Sequence, residues 1–295
     1  MRWQCRDRSF DLEGRALVMG VVNVTPDSFS DGGRWLDPET AVAHARRLAA
    51  EGADLIDLGA ESTRPGAPPV PATEQWRRLA PVLEALAGDG GPALSVDTAS
   101  AEVAARALAA GAHVVNDVSA LGDPRMAAVI AEAGAGAILM HMRGTPADMQ
   151  RDPRYDDAPA EVASWLGGRL RTARAAGIAE SRLAVDPGIG FGKRLEHNLE
   201  LIARLDACVA LARPVVVGVS RKGFLGALLD LPVDRRLEGG LAAAAIAVFE
   251  GAAVVRTHDV EPTVRAVRVA SALRAARAGS AGVGADPGPR HDRSG

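Results

Sequence analysis

Lysine, cysteine and aromatic residues are all scarce in this chain. Of 34 basic residues in a total of 295, only Lys193 and Lys222 are lysines, and the aromatic share is 3%. The arginine excess as a whole is read as base composition, but two isolated lysines each call for a reason. Two cysteines, Cys5 and Cys208, lie far apart in sequence and exclude a disulfide framework or a cysteine metal cluster. A formal net charge of −3 excludes a basic field for nucleic acid or an acidic membrane surface. No apolar run is long enough to span a bilayer, and the opening MRWQCRDRSFDLEGR lacks the apolar segment of a signal peptide. These absences predict a cytoplasmic chain without membrane or nucleic-acid partners. With 47% hydrophobic residues it can bury a large core, and a single domain over residues 1–278 accounts for the length better than two. Residues 279–295, rich in Gly, Pro and charge, are predicted to be a disordered tail.

What is present is a repeated unit: a glycine, a short apolar run, then a polar residue. It occurs at residues 52–57 (GADLID), 111–116 (GAHVVN), 134–141 (GAGAILMH) and 251–256 (GAAVVR), with 183–186 (LAVD) as a shorter relative. Glycine after a helix accepts positive φ cheaply, and four to six apolar residues suit a strand buried on both faces. Strands are predicted at residues 16–22, 54–58, 93–96, 112–116, 136–140, 183–186, 214–219 and 252–256. Helix starts are read at Asp37-Pro38, Thr73-Glu74, Ser100 and Asp123-Pro124. Eight strands alternating with helices predict an α/β fold, a (β/α)8 TIM barrel with its site on the loops after the strands, with an open doubly wound sheet as the alternative. The polar residues at the strand ends are Asn23, Asp57, Asp97, Asn116, His141, Asp186, Ser220 with Lys222, and Arg256 with His258. Any one of them can be a helix cap or a turn former. All eight strands ending this way point to a polar, partly anionic substrate held at one mouth.

Eight ordered stretches resemble the signatures of the dihydropteroate synthase, or pterin-binding, family. They are residues 19–33 (MGVVNVTPDSFSDGG), 57–67 (DLGAESTRPGA), 95–98 (SVDT), 116–120 (NDVSA), 140–150 (MHMRGTPADMQ), 186–193 (DPGIGFGK), 218–226 (GVSRKGFLG) and 256–260 (RTHDV). The resemblance covers about residues 15–275 and implies a (β/α)8 transferase of folate biosynthesis, a sulfonamide target. Its reaction joins 6-hydroxymethyl-7,8-dihydropterin diphosphate to p-aminobenzoate with the help of Mg²⁺.

By that resemblance Asp97, Asn116, Met140, Asp186 and Lys222 contact the pterin. Independently, an ionised Asp186 can accept two parallel hydrogen bonds from an aminopyrimidinone edge with charge assistance. Asn23, Thr63, Arg64, Arg256 and His258 match the diphosphate site, with the Asn23 side-chain oxygen as the Mg²⁺ ligand; magnesium normally takes one or two protein oxygens beside phosphate and water. Phe29, Thr63, Arg64, Pro65, Phe191, Lys222 and Gly223 match the p-aminobenzoate site. Asp31, Asp97, Lys222, Arg256 and His258 match the catalytic set. Loops 24–37 and 62–72 are expected to close over the mouth and exclude water.

The family also implies a homodimer through C-terminal helices that include residues 238–250, a stretch whose alanine-rich composition core packing explains equally well. Two positions depart from the usual pattern: Gly223, where many relatives carry serine for the p-aminobenzoate carboxylate, and Ala60, where glycine is usual. Two alternatives share the pterin site: a methyltetrahydrofolate-corrinoid methyltransferase barrel, which needs no diphosphate site, and an inactive pterin-binding paralogue, in which Asn23, Arg64, Lys222 or Arg256 would be lost, whereas all four are present. GIGFGK at residues 188–193 is not a phosphate loop, since Pro187 and Arg194 occupy two required positions, and GVSRKG is not a nucleophile elbow.

Overall fold

The computed structural model describes residues 1–25, 37–62 and 67–279. Ten strands and ten α-helices occur among them. The chain opens with an antiparallel hairpin of β1 (Arg2–Cys5) and β2 (Arg8–Asp11), then alternates through β3 (Leu17–Asn23), α1 (Pro38–Ala50), β4 (Leu55–Gly59), α2 (Ala72–Leu86), β5 (Ala93–Asp97), α3 (Ala101–Ala109), β6 (Val114–Asp117) and α4 (Met126–Ala133). It continues through β7 (Gly136–Met140), α5 (Ala158–Ala175), β8 (Leu183–Asp186), α6 (Leu195–Ala203), α7 (Asp206–Val209), β9 (Val216–Gly218), α8 (Gly223–Leu229), α9 (Leu237–Phe249), β10 (Val254–Thr257) and α10 (Val260–Arg277).

β3 to β10 form one parallel sheet in the order β8-β7-β6-β5-β4-β3-β10-β9. A parallel bridge between Val185 and Val215 joins its two ends, so the sheet closes into the (β/α)8 barrel rather than an open doubly wound sheet. Each of the eight predicted strands is present, displaced by at most two residues at either end. The repeated glycines serve as expected: Gly52, Gly111, Gly134 and Gly251 all have positive φ, at 102°, 106°, 59° and 118°.

Helix starts follow the sequence closely. Ser100 caps α3 by accepting from the Val103 N–H, and Pro38 occupies the first turn of α1. The Asp123-Pro124 signal falls short of its helix: Asp123 turns the chain through the Arg125 N–H, and α4 begins at Met126.

The barrel strands carry two apolar faces because both are covered. Val18, Val22, Ile56, Leu58, Leu94, Val96, Val115, Leu139, Val185, Val217 and Val255 pack outward against the helices. Leu17, Met19, Leu55, Ala93, Val114, Ile138, Ala184, Val216 and Val254 fill the interior, together with Trp3, Cys5 and Leu12 of the hairpin region. The hairpin therefore plugs the N-terminal mouth, with Trp3 fully buried and its indole Nε1 donating to the Arg182 carbonyl at 3.0 Å. Among the described residues, no helix is long and apolar enough to cross a membrane. The expected tail falls, apart from Gly279, outside the described residues.

Candidate active site

Side chains alternate across a strand, so the interior apolar residues determine which later residues also face inward. Two positions beyond Val114, Ile138, Ala184, Val216 and Val254 stand Asn116, Met140, Asp186, Gly218 and Arg256; four beyond Met19, Leu55 and Ala93 stand Asn23, Gly59 and Asp97. Each strand thus delivers one inward residue to the C-terminal rim. Six of these eight, together with Val118, Ile189, Phe191 and Lys222, line one cleft. At Gly59 a Cβ would stand 3.5 Å from Asn23 Oδ1 and 3.6 Å from Asp97 Cβ, which puts Asn23 on the same rim beside Asp97.

Arg256 organises the floor of the cleft. Its Nε donates to Asp57 Oδ2 at 2.7 Å and an Nη to Asp97 Oδ2 at 2.9 Å, and Asn116 Nδ2 donates to the same Asp57 oxygen at 3.1 Å. Asp57 is fully buried one layer below the rim, where an unpaired carboxylate would be costly. Among the described residues these contacts use only part of the guanidinium fork.

Burial pushes the Asp97 carboxyl up to about 7 even though Arg256 opposes the shift, with Asp57, Asp117 and Glu61 adding to it. Burial likewise raises Asp186, against the Gly188 N–H that donates to its Oδ1 at 2.6 Å and against the Lys222 charge. Lys222 is lowered to about 8 by burial and by Arg256. Carboxylates and cations thus share one partly dry cleft, in which burial raises Asp97 and Asp186 and lowers Lys222.

Lys222 reaches the cleft through a strained turn. Arg221 has a φ of 58°, a conformation costing about 1 kcal/mol for a non-glycine residue. A bidentate pair from Arg221 to Asp259, at 2.6 and 3.2 Å, holds the turn from one side, and Arg236 binds the carbonyls of Arg221 and Lys222 from the other. The Lys222 ammonium then stands 4.1 Å over the Phe191 ring.

The structure thus brings together Asn23, Asp97, Asn116, Met140, Asp186, Phe191, Lys222 and Arg256 of the expected set. His258 is set apart from the cleft wall. It lies beside Ser220, with Nδ1 3.2 Å from the hydroxyl, and burial with Arg256 and Arg221 lowers it to about 3, so it is a neutral imidazole here rather than a cation. Gly223 opens α8, and a Cβ there would meet nothing within 4 Å, so steric crowding does not account for the missing serine. Ala60 is fully buried, and nothing in the structure explains its replacing glycine. Phe29, Asp31, Thr63, Arg64 and Pro65, and most of the first expected lid loop, lie outside the described residues.

Three contributors carried no assignment in the sequence. Asp57 stood among the strand-end residues without a role; its parity in β4 was the available signal, because it faces inward two residues before Gly59. Val118 and Ile189, the apolar walls, sit inside stretches recognised for their polar members.

Residues 19–258 match the family model described as pterin binding enzyme. The chain is 45% identical over 277 residues to the dihydropteroate synthase of Escherichia coli K12, covering 94% of this chain and 98% of that protein. A Yersinia pestis dihydropteroate synthase solved with a sulfonamide drug superposes with a TM-score of 0.89 at 44% identity, over 93% of this chain and 100% of that one. A Xanthomonas albilineans dihydropteroate synthase solved with 4-aminobenzoic acid gives a TM-score of 0.86 at 46% identity, over 93% and 98%.

Proposed function

The chain belongs to the dihydropteroate synthase family of pterin-binding enzymes, and on that premise we infer that it condenses 6-hydroxymethyl-7,8-dihydropterin diphosphate with p-aminobenzoate, giving 7,8-dihydropteroate and pyrophosphate for folate biosynthesis. The observation that carries this reading is the convergence of Asp97, Asn116, Asp186, Lys222 and Arg256 on one cleft whose side wall is Phe191.

Asp186 holds the aminopyrimidinone edge of the pterin through paired hydrogen bonds, and Lys222 donates to the ring carbonyl side. Asn116, Asp97 and Met140 complete the ring's surroundings. The bond from the pterin methylene carbon to the diphosphate oxygen breaks, its electron pair leaving with pyrophosphate. The methylene cation is delocalised into the pterin, where the Asp97 and Asp57 carboxylates supply negative charge nearby. The p-aminobenzoate amine then forms the new C–N bond and loses a proton. Arg256, with Thr63 and Arg64, supplies the charge that stabilises the departing anion, and His258 is assigned the part of a neutral N–H donor to it. Phe191 and Pro65, with Phe29, wall the aromatic amine, and the backbone N–H of Gly223 and the Lys222 charge receive its carboxylate. Asp31 is assigned to the cation.

Magnesium is assigned to Asn23. Among the described residues no group of three His, Cys, Asp or Glu side chains is arranged to hold a metal ion, and one amide oxygen suits a cation that takes its other ligands from phosphate and water. Bound there, it supplies positive charge to the leaving group.

Self-association through α9 and α10 is supported by large apolar side chains on their outer faces, Ile246 at 52%, Val269 at 62% and Leu273 at 56% exposure. A cytoplasmic location is supported by two free, buried thiols, Cys5 and Cys208.

Pyrophosphate release from the dihydropterin diphosphate, measured with and without p-aminobenzoate, tests the reaction. Release that depends on the aromatic amine and stops in Asp186→Asn is expected. Release indifferent to p-aminobenzoate, or an undiminished Asp186→Asn, would overturn it. Sulfamethoxazole is expected to compete with p-aminobenzoate in the same assay.

A further inference from the structure

Lys193, the other of the two lysines, does not line the cleft yet is only 3% exposed. Its Nζ lies 2.9 Å from the Phe191 carbonyl, 3.0 Å from His141 Nδ1 and 3.5 Å from the His141 carbonyl. An ammonium has three N–H donors, and these are three acceptors. Burial, with the charges of Lys193 and Arg143, lowers His141 to about 3, which keeps its ring neutral and able to accept. Burial lowers Lys193 itself to about 7, a desolvation cost that its hydrogen bonds partly offset.

The bonds tie the loop after β8 to the end of β7. That loop lies flat on the neighbouring backbone: Gly192 packs on the Arg143 carbonyl and Gly188 on that of His141, each too close to admit a Cβ. Its successive carbonyls are each taken by a side chain from elsewhere or nearby, Gly190 by Gln150, Phe191 by Lys193 and Gly192 by Tyr155. Of the three side chains that donate to these carbonyls, Lys193 is the one that binds the residue whose ring faces the cleft.

We propose that Lys193 is a positioning residue that sets the affinity for the aromatic amine by fixing the backbone of Phe191 against the end of β7. The inference rests on the reading of Phe191 as the p-aminobenzoate wall. Lys193→Met removes the donors while keeping the apolar stem; Lys193→Gln keeps a neutral donor. With the full-length enzyme, Lys193→Met is expected to raise the KM for p-aminobenzoate by about tenfold, the loss of one or two hydrogen bonds. The KM for the pterin diphosphate should hold within about threefold, and Lys193→Gln should recover part of the loss. Combined with Phe191→Ala, Lys193→Met should add nothing to the p-aminobenzoate KM, because it acts through the same ring.

Additive losses in the double variant, or equal rises in both KM values, would overturn the proposal. A Phe191→Ala enzyme with unchanged p-aminobenzoate KM would remove the Phe191 reading and this inference together, whereas a raised KM there with additive losses removes the inference alone. Should Lys193→Met fail to fold, the same comparisons are made with Lys193→Gln, for which a smaller, ring-dependent rise is expected and an additive one overturns the proposal.

Discussion

The two mouths of the barrel are built from the same eight strands and do opposite work. At the N-terminal mouth the inward side chains are Leu17, Leu55, Ala93, Val114 and their neighbours, sealed by Trp3 and Cys5 of the hairpin. At the C-terminal mouth the same alternation ends in Asn23, Asp97, Asn116, Asp186 and Arg256 around an open cleft. The contrast separates stability from chemistry within single strands: the apolar layers hold the wall rigid, and a few residues later that rigid wall aims charged groups at a ligand.

Arg256→Ala should sharpen this contrast most. It strips the cleft of its guanidinium and leaves Asp57 buried without its cation, and kcat/KM for the pterin diphosphate should fall by about a thousandfold or more. Steady-state pyrophosphate release checks it. At the opposite mouth, Trp3→Ala should cost about 3–5 kcal/mol of stability in denaturant unfolding, with kcat/KM at low temperature unchanged within about twofold. A folded Trp3→Ala enzyme with lost activity would break the division between the two ends.

The pH profile of kcat/KM follows from the charged rim alone. Asp97 must be ionised to hold Arg256, so activity should fall as pH drops through about 7; Lys222 must be protonated, so it should fall again as pH rises through about 8. Asp97→Asn should weaken the acid limb, the remainder belonging to Asp186, and an unchanged limb in that variant would assign it elsewhere. The smallest effect is expected at Gly223→Ser. Open space around that position admits the hydroxyl, and the KM for p-aminobenzoate should drop several-fold, about 1 kcal/mol for one hydrogen bond.

Much of the fold was legible because buried parallel strands and the glycines that precede them leave a local signature. The N-terminal hairpin was not predicted: Trp3 and Cys5 alternate with Arg2 and Gln4, but strands of four residues among charged neighbours leave too short a pattern to read. The rim residues were found as strand ends, and the ordered stretches assigned them roles. Asp57 and Lys193 escaped assignment because their partners, Arg256 and the Phe191 carbonyl with His141, are fixed by how strands and loops meet. His258 was matched to the diphosphate site by its sequence neighbourhood, but its charge was not legible there: burial beside Arg256 and Arg221 keeps it neutral.

The amino-acid order by itself determined eight buried strands, their spacing and the polar residue closing each, because alternation and turn preference act over a few residues. Which of those residues would share one cleft, that Arg256 would be gripped by two carboxylates from different strands, and that a buried lysine would hold Phe191 in place, only the closed barrel decided. Such contacts join positions as far apart as Asp57 and Arg256, 199 residues along the chain, and burial then sets the charge that each group carries.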